Sequence, residues 1–420
     1  MKRKYSYDVA VVGGGAAGVG AAVGAAQTGA RTVLVEKNPY FGGIATHGSV
    51  LTYCGFFTQA DPTEQIVGGV GQQVLTHLSK LGMYDGPRRT ARTGTVIVLL
   101  DPEVTKIALD RCVTEAKVEP LLHAQVIGAE VTNGKIEAIE CVDHSGRFTI
   151  EASAFVDASG EANLTALSGG DFVFGDDKGH LQSATLMIRI GGVPPEANAH
   201  PITIQEAVVK AKKAGIPNLT KELGTIVRMP GSHDVLAILA DEEVNGLEST
   251  SLTSAEISAR KQAWAYLESF RRFLPGFENS YLVQTGPQIG IRETRHIRGE
   301  YTLSGDDVLQ AKRQEDSVAR GGWPVELHPV PGEPNEWHSI KDNSYYDIPL
   351  RSLKVQGVRN LWAAGRIISC DPIAFASVRV MGTAFATGHA AGVAASVELN
   401  NGEVSVKAVQ SELRRQDAII

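Results

Sequence analysis

Apolar residues form short, solid runs near both ends of the chain and alternate with polar ones in its middle. Residues 8–12 (DVAVV) have the length and β-branched content of a strand buried on both faces. An Ala-rich segment then suits a helix packed close to a sheet; Gly29 ends it, and residues 31–35 give a second buried strand. Val70, Val74, Leu75, Leu78 and Leu81 fall at helical spacing within residues 68–81. Residues 96–100 read as a strand, and Asp101-Pro102 opens a helix, with proline where its missing N–H costs nothing. Three strand-like runs follow at 119–125, 126–131 and 135–142, the last two joined by the hairpin pair Asn133-Gly134, and then a strand at 148–158.

In the middle third the period changes. Residues 180–193 alternate, with Thr185, Met187 and Arg189 opposed to Leu186, Ile188 and Ile190, as in a sheet with two different faces. A strand at 235–240 and an amphipathic helix over about 254–273 follow. If residues 288–295 are extended, Arg292 and Thr294 share one face while Glu293 and Arg295 share the other; His328 is expected at a strand end. A capped helix is expected to begin near Ser304. Near the C-terminus come a strand at 361–364 and a helix rich in small residues, among them Gly382, Gly388 and Gly392.

These elements frame a specific turn. Gly13, Gly15 and Gly18 fit G-x-G-x-x-G between the first strand and its helix, and Glu36 closes the second strand. Gly13 permits the tight turn, Gly15 lets backbone approach a pyrophosphate, and Gly18 lets helix and strand pack closely. The helix start presents free N–H groups to phosphate. Glu36 can accept from both ribose hydroxyls and disfavours a 2′-phosphate, so the ligand is FAD or NAD rather than NADP. The three glycines alone would be weak evidence; the ordered strand, helix, strand and acid make the motif specific.

Composition narrows the class. The chain has 420 residues, more than one core usually serves, so a second domain interleaved with the first is expected. A net charge of −7 argues against nucleic acid as the main partner and gives no polybasic membrane signal. No apolar run approaches the roughly 20 residues of a membrane span, and the basic start shows no signal-peptide cleavage pattern. Cys54, Cys112, Cys141 and Cys370 lie far apart, which offers neither a zinc site nor a redox dithiol. Free thiols in a reducing compartment, by default the cytoplasm, are expected.

A family resemblance sharpens the ligand. GGGAAG followed by E-K-x-x-x-x-G-G at 36–43 resembles the FAD-binding start of flavoproteins with the glutathione-reductase fold. V-D-A-S-G-E at 156–161, R-E-x-R-x-x-x-G-E-Y from Arg292, N-L-x-x-A-G-R ending at Arg366, and A-S-V-R-V-M from Ala376 extend it toward the broad FAD-dependent oxidoreductase group. The fold class implied is α/β: a Rossmann-like FAD-binding domain with a parallel sheet, helices and a β-meander, plus an inserted mixed α+β substrate domain. Residues 1–170 and 345–405 would form the first and 171–344 the second, with part of 45–95 reaching the pocket.

The resemblance also implies cofactor contacts. Gly13, Gly15, Ala16, Ala17 and Gly18 would serve the pyrophosphate, and Glu36 and Lys37 the ribose. Gly42, Gly43, Ile44 and Thr46 would line the flavin side, and Val126 would meet adenine. Ala158 and Gly160 mark the chain's return to the site. Gly365 and Arg366 would lie at the ribityl chain, and Ala376, Val380, Gly382 and Thr383 at the flavin. Many relatives carry Asp where this chain has Arg366, so the ribityl contact is assigned to the segment rather than to that side chain.

The activity expected is that of a dehydrogenase or oxidase moving a hydride between a small organic substrate and flavin. His47, His296 and His328 are candidate bases because their ordinary pKa lies near neutrality. His47 has two other readings, a covalent flavin link and a brace for its loop. Arg292, Arg295 and Arg379 would orient an anionic substrate; Arg88, Arg89 and Arg92 either do the same or form a solvated loop. The absence of a dithiol weighs against a disulfide reductase. The absence of a second G-x-G-x-x-G unit leaves the electron acceptor open among oxygen, a quinone and a protein carrier. An NAD(P)H-fed reductase or monooxygenase and a non-redox dinucleotide-binding protein stand as alternatives. Substrate, reaction direction and assembly into a homo-oligomer stay open.

Overall fold

The computed structural model describes residues 3–90, 93–176, 179–328, 330–402 and 404–420. Its main sheet is built on β1 (Arg3–Val12), whose last four residues are buried on both faces. β2 (Thr32–Val35), β3 (Glu119–Leu121), β4 (Gln125–Thr132), β5 (Lys135–Asp143) and β6 (Gly146–Asp157) join it in the order β3-β2-β1-β6-β5-β4. β3, β2, β1 and β6 run parallel, and β4, β5 and β6 form an antiparallel meander. The strand Leu361–Ala363 pairs in parallel with the last three residues of β6, Ala363 opposite Asp157. β1 starts earlier than its apolar run because its more exposed N-terminal half, Arg3 to Tyr7, pairs with Phe148 to Ala152 of β6. Helix α1 (Ala16–Gln27) leaves β1 through the glycine turn.

The middle of the chain makes a second, four-stranded antiparallel sheet. β7 (Ala184–Gly191), β8 (Thr225–Arg228), β9 (Val235–Glu242) and β10 (Tyr281–Thr285) lie in the order β8-β9-β7-β10. Helices α2 (Pro201–Lys213) and α3 (Ser249–Phe273) cover one face: Leu186, Ile188 and Ile190 of β7 share a core with Ala259, Ala263, Tyr266 and Phe270. Alternation turns Thr185 and Met187 to the other face, where they line a cavity.

The C-terminal part returns to α1. Helices α4 (Pro372–Val378) and α5 (Met381–Asn401) follow the last strand of the main sheet, and α5 lies directly on α1. A Cβ on Gly388 would sit 2.0 Å from the Ala17 carbonyl oxygen, and one on Gly392 1.9 Å from that of Ala21. The two backbones touch, so the small-residue pattern of α5 is the condition for its packing.

Two local expectations change. The basic loop contains a two-residue strand, Arg88–Arg89, at the edge of Val96–Leu99. Residues 288–294 are not a strand; only Arg295–Ile297 is extended, paired with Phe172–Phe174.

Candidate active site

The turn between β1 and α1 forms one end of a groove. Gly13 holds a left-handed φ of 99°, and a Cβ there would lie 2.4 Å from the Ala158 carbonyl. A Cβ on Gly18 would lie 1.7 Å from the Gly13 carbonyl, so this glycine lets α1 close on the turn. Gly15 differs: the nearest atom to a Cβ would be Gly43 Cα at 3.8 Å, which leaves its groove side open to a ligand. Ala16, Ala17, Glu36, Lys37, Gly42, Gly43, Ile44 and His47 continue the groove's wall. Ala158, Gly160, Gly365 and Arg366 close it. Asp157 fixes the 158–165 loop by accepting from Ser159 Oγ at 2.7 Å and from the Thr165 amide at 2.8 Å.

Glu36 is buried at the strand end, its Oε2 accepting from the Gly14 amide (2.6 Å) and its Oε1 from that of Asn38 (2.8 Å). Burial raises its pKa, and those two bonds oppose the rise. Each oxygen keeps a lone pair for a hydroxyl. Open backbone at Gly15, a helix start and a doubly held carboxylate suit a pyrophosphate with its ribose. Five further expected contacts are not among the described residues lining the groove. Thr46 is buried with its hydroxyl on the Phe41 carbonyl, and Val126 packs at the edge of the sheet core. Ala376 is buried inside α4, Gly382 lies against the backbone of residues 54–56, and Thr383 is fully buried.

A second cavity of about 340 Å³ adjoins the groove, and Ile44, Ile291, Arg366, Arg379 and Met381 line both. Arg292 donates to the Ser183 carbonyl and, at 2.9 Å, to Thr185 Oγ1. Arg379 Nη2 donates to the Glu326 carbonyl at 3.0 Å, while its buried Nε has no partner. Burial lowers the pKa of both guanidiniums, each being further lowered or crowded by neighbouring cations, and Arg292 comes down to about 10. Glu326 receives Trp323 Nε1 at 3.2 Å and Asn335 Nδ2 at 3.1 Å, with His328 Nε2 3.3 Å away. Burial works against its charge, but the His328 bond and the charges of Arg379 and Arg292 outweigh it and keep the carboxyl ionised. Burial and Arg292 bring His328 down to about 3, against the pull of Glu326. Lys221 Nζ stands 3.6 Å from Asp241 on a further wall.

Of the candidate catalytic residues, Arg292, His328 and Arg379 meet at this cavity, and Val380 lines it. His47 lines the groove, stacked on Tyr40 with centroids 4.4 Å apart, and burial lowers it to about 4. Arg295 and His296 do not line either cavity. Arg295 holds the Glu161 carbonyl and Asn163 and lies over Phe172, and His296 pairs with Glu293 at 3.1 Å, edge-on to Phe375. The reason is the strand itself: pairing of Arg295–Ile297 with Phe172–Phe174 directs both into structural contacts. Arg88 pairs with Asp85 and Arg89 with backbone carbonyls; Arg92 lies outside the described residues. Sequence reasoning missed Glu326, Asn335, Lys221, Asp241 and Glu161, whose carboxylate binds Arg366 at 2.6 Å. Glu326 had a signal, since residues two apart on a strand share a face and His328 was already a candidate.

Three buried histidines share one consequence, for His389 also stands near 4, lowered by burial. A folded pKa below the unfolded value means the unfolded chain binds more protons. Stability is therefore fully present above the ordinary value of 6.5 and declines as pH falls toward 3–4. The melting temperature should drop steadily between pH 7 and 5; a flat profile would refute this.

Residues 8–413 match the FAD dependent oxidoreductase family. The chain belongs to that family. FAD is its cofactor, and the protein is an enzyme. Among curated relatives, this FAD-dependent oxidoreductase is similar to 3-oxosteroid 1-dehydrogenase of Mycobacterium tuberculosis (strain ATCC 25618 / H37Rv). Identity is 36% over 107 residues, 25% of this chain and 16% of that protein. It is also similar to alpha-glycerophosphate oxidase of Enterococcus casseliflavus, 31% identical over 109 residues, 23% of this chain and 18% of the relative. The matches thus span less than a fifth of those relatives. In fold it is similar to BexE of BE-7585A biosynthesis, with a TM-score of 0.51 and 12% identity over 98% of this chain and 66% of that one. The OxyS anhydrotetracycline hydroxylase from Streptomyces rimosus gives 0.50 and 11% over the same shares. Among the described residues no helix is long and apolar enough to cross a membrane.

Proposed function

We propose that this oxidoreductase is a dehydrogenase or oxidase that moves a hydride between a small, anionic organic substrate and FAD. The observation that carries the reading is the shared wall between the glycine-lined groove and the cavity holding Arg292, Glu326, His328 and Arg379. The groove residues named above would hold FAD in the manner of the glutathione-reductase-like flavoproteins, and residues 171–344 would act as the substrate domain. FAD supplies a two-electron acceptor at flavin N5. Arg292 and Arg379 bind the substrate's anionic group, and the apolar walls exclude water.

His328 is the base. With Nε2 donating to ionised Glu326, the tautomer leaves Nδ1 as the basic nitrogen. It is neutral throughout the physiological range, so kcat/KM should show no fall at 6.5 as the pH is lowered from 7 to 5.5. An anion on Arg292 offsets a charge that depresses His328, so the acid limb of kcat should lie at higher pH than that of kcat/KM. The four free cysteines support a reducing compartment, and we place the enzyme in the cytoplasm.

An anaerobic screen of organic acids, read as bleaching of flavin absorbance and followed by readmission of oxygen, tests the reading. Bleaching by a substrate supports it, and the rate of recovery in oxygen separates oxidase from dehydrogenase. Bleaching by NAD(P)H alone favours a reductase or monooxygenase. No bleaching by either would count against the proposed reaction.

A further inference from the structure

We infer that the substrate is a hydroxy monocarboxylate with an apolar body, its carboxylate held between Arg292 and Arg379 and its hydroxyl donated to Asn335. The inference rests on the reading of this cavity as the substrate site and narrows the class of molecule it takes.

The first observation concerns partners. Arg292 is held by a carbonyl and a hydroxyl, Arg379 by a carbonyl, and neither forms an ion pair with a carboxylate of the described residues. Arg379 Nε is buried with no partner at all. Each cation stands in surroundings that disfavour its charge, and Arg379 is a named cause for Arg292. Charge enclosed in this way is unfavourable unless an anion meets it. A planar carboxylate matches the guanidinium fork.

The second observation is a charge ledger. Lys221 and Asp241 offset one another, as do Arg366 and Glu161. What remains among the described lining residues is two guanidiniums against the ionised Glu326, with His328 neutral. One negative charge completes the site. A dianion would set its second charge against Glu326 or Asp241, and a zwitterionic amino acid would leave the excess positive charge in place.

The third observation sets the rest of the molecule. Val50, Met187, Leu223, Ile238 and Trp337 give the cavity an apolar wall suited to an apolar body. Asn335 spends its amide group on Glu326, and its buried Oδ1 has no partner. A buried acceptor of this kind calls for a donor on the ligand, and a hydroxyl supplies one without adding charge.

An isosteric series tests the inference on the FAD-loaded enzyme by rapid-mixing perturbation of the oxidised flavin spectrum, read in the binding phase before any bleaching. Mandelate should bind about 10- to 100-fold more tightly than mandelamide, phenylglycine or phenylmalonate. Phenylacetate should fall between, having the charge but lacking the hydroxyl. Arg379→Gln should weaken mandelate by about 10- to 100-fold and leave mandelamide nearly unchanged. Should that variant lose FAD or fold poorly, Asn335→Leu serves instead: it should retain phenylacetate and abolish the preference for mandelate. Equal binding of mandelamide, preference for phenylmalonate, no binding of any monocarboxylate, or an Asn335→Leu enzyme that still prefers mandelate overturns the inference. Carboxylate binding without bleaching by any acid would instead count against the redox reading and leave the ligand class standing.

Discussion

His328→Gln should slow reduction of the flavin by substrate by ~10²- to 10⁴-fold, the usual contribution of a positioned general base. Glutamine retains a hydrogen-bonding amide near Glu326 but has no nitrogen that can take a proton. FAD content should not change, because the described residues lining the groove do not include residue 328. Stopped-flow reduction under anaerobic conditions separates this step from reoxidation. His47→Gln is the matching control: His47 lines the groove and stacks on Tyr40, so its replacement should disturb FAD binding more than the substrate's proton. Equal rates for His328→Gln and the parent enzyme would remove His328 from the chemistry and return attention to His47.

Gly388→Ala should cost stability and cofactor together. The added methyl carbon would lie 2.0 Å from the Ala17 carbonyl oxygen, and the obstacle is backbone rather than a movable side chain. Helices α1 and α5 must part, at a cost of about 1–3 kcal/mol or more. Ala17 lies inside the glycine motif, next to Gly18, and lines the groove, so the displacement reaches the site proposed for FAD. A lower melting temperature and a lower ratio of FAD to protein are the expected outcome. Gly128→Ala is the control, since a Cβ there meets nothing closer than 3.4 Å. Similar behaviour of the two variants would show that the α1–α5 contact has room to spare.

The glycine-lined groove was legible because its geometry is local. Gly13, Gly15, Gly18 and Glu36 act through a turn, a helix start and a strand end that a thirty-residue window contains. The C-terminal helix was legible too, through small residues whose spacing meets α1. The adjoining cavity was legible only in part. Arg292, Arg379 and His328 could be picked out by residue type, and so could Arg295 and His296, which the fold puts elsewhere. Alternation would have assigned Arg295 to a face, but the pairing of Arg295–Ile297 with Phe172–Phe174 depends on a partner more than a hundred positions away.

By itself, then, the sequence determined a dinucleotide turn and an α/β class, because backbone conformation and steric room are properties of neighbouring residues; the choice of FAD over NAD came from the family resemblance, and the family match carries it. Only the tertiary structure decided which cations share a cavity. Arg292 comes from the loop after β10, Glu326 and His328 from the short strand Val325–Leu327 and its end, and Arg379 from the end of α4. Their charges act through space in a partly dry cavity, where separation along the chain has no bearing on the energy.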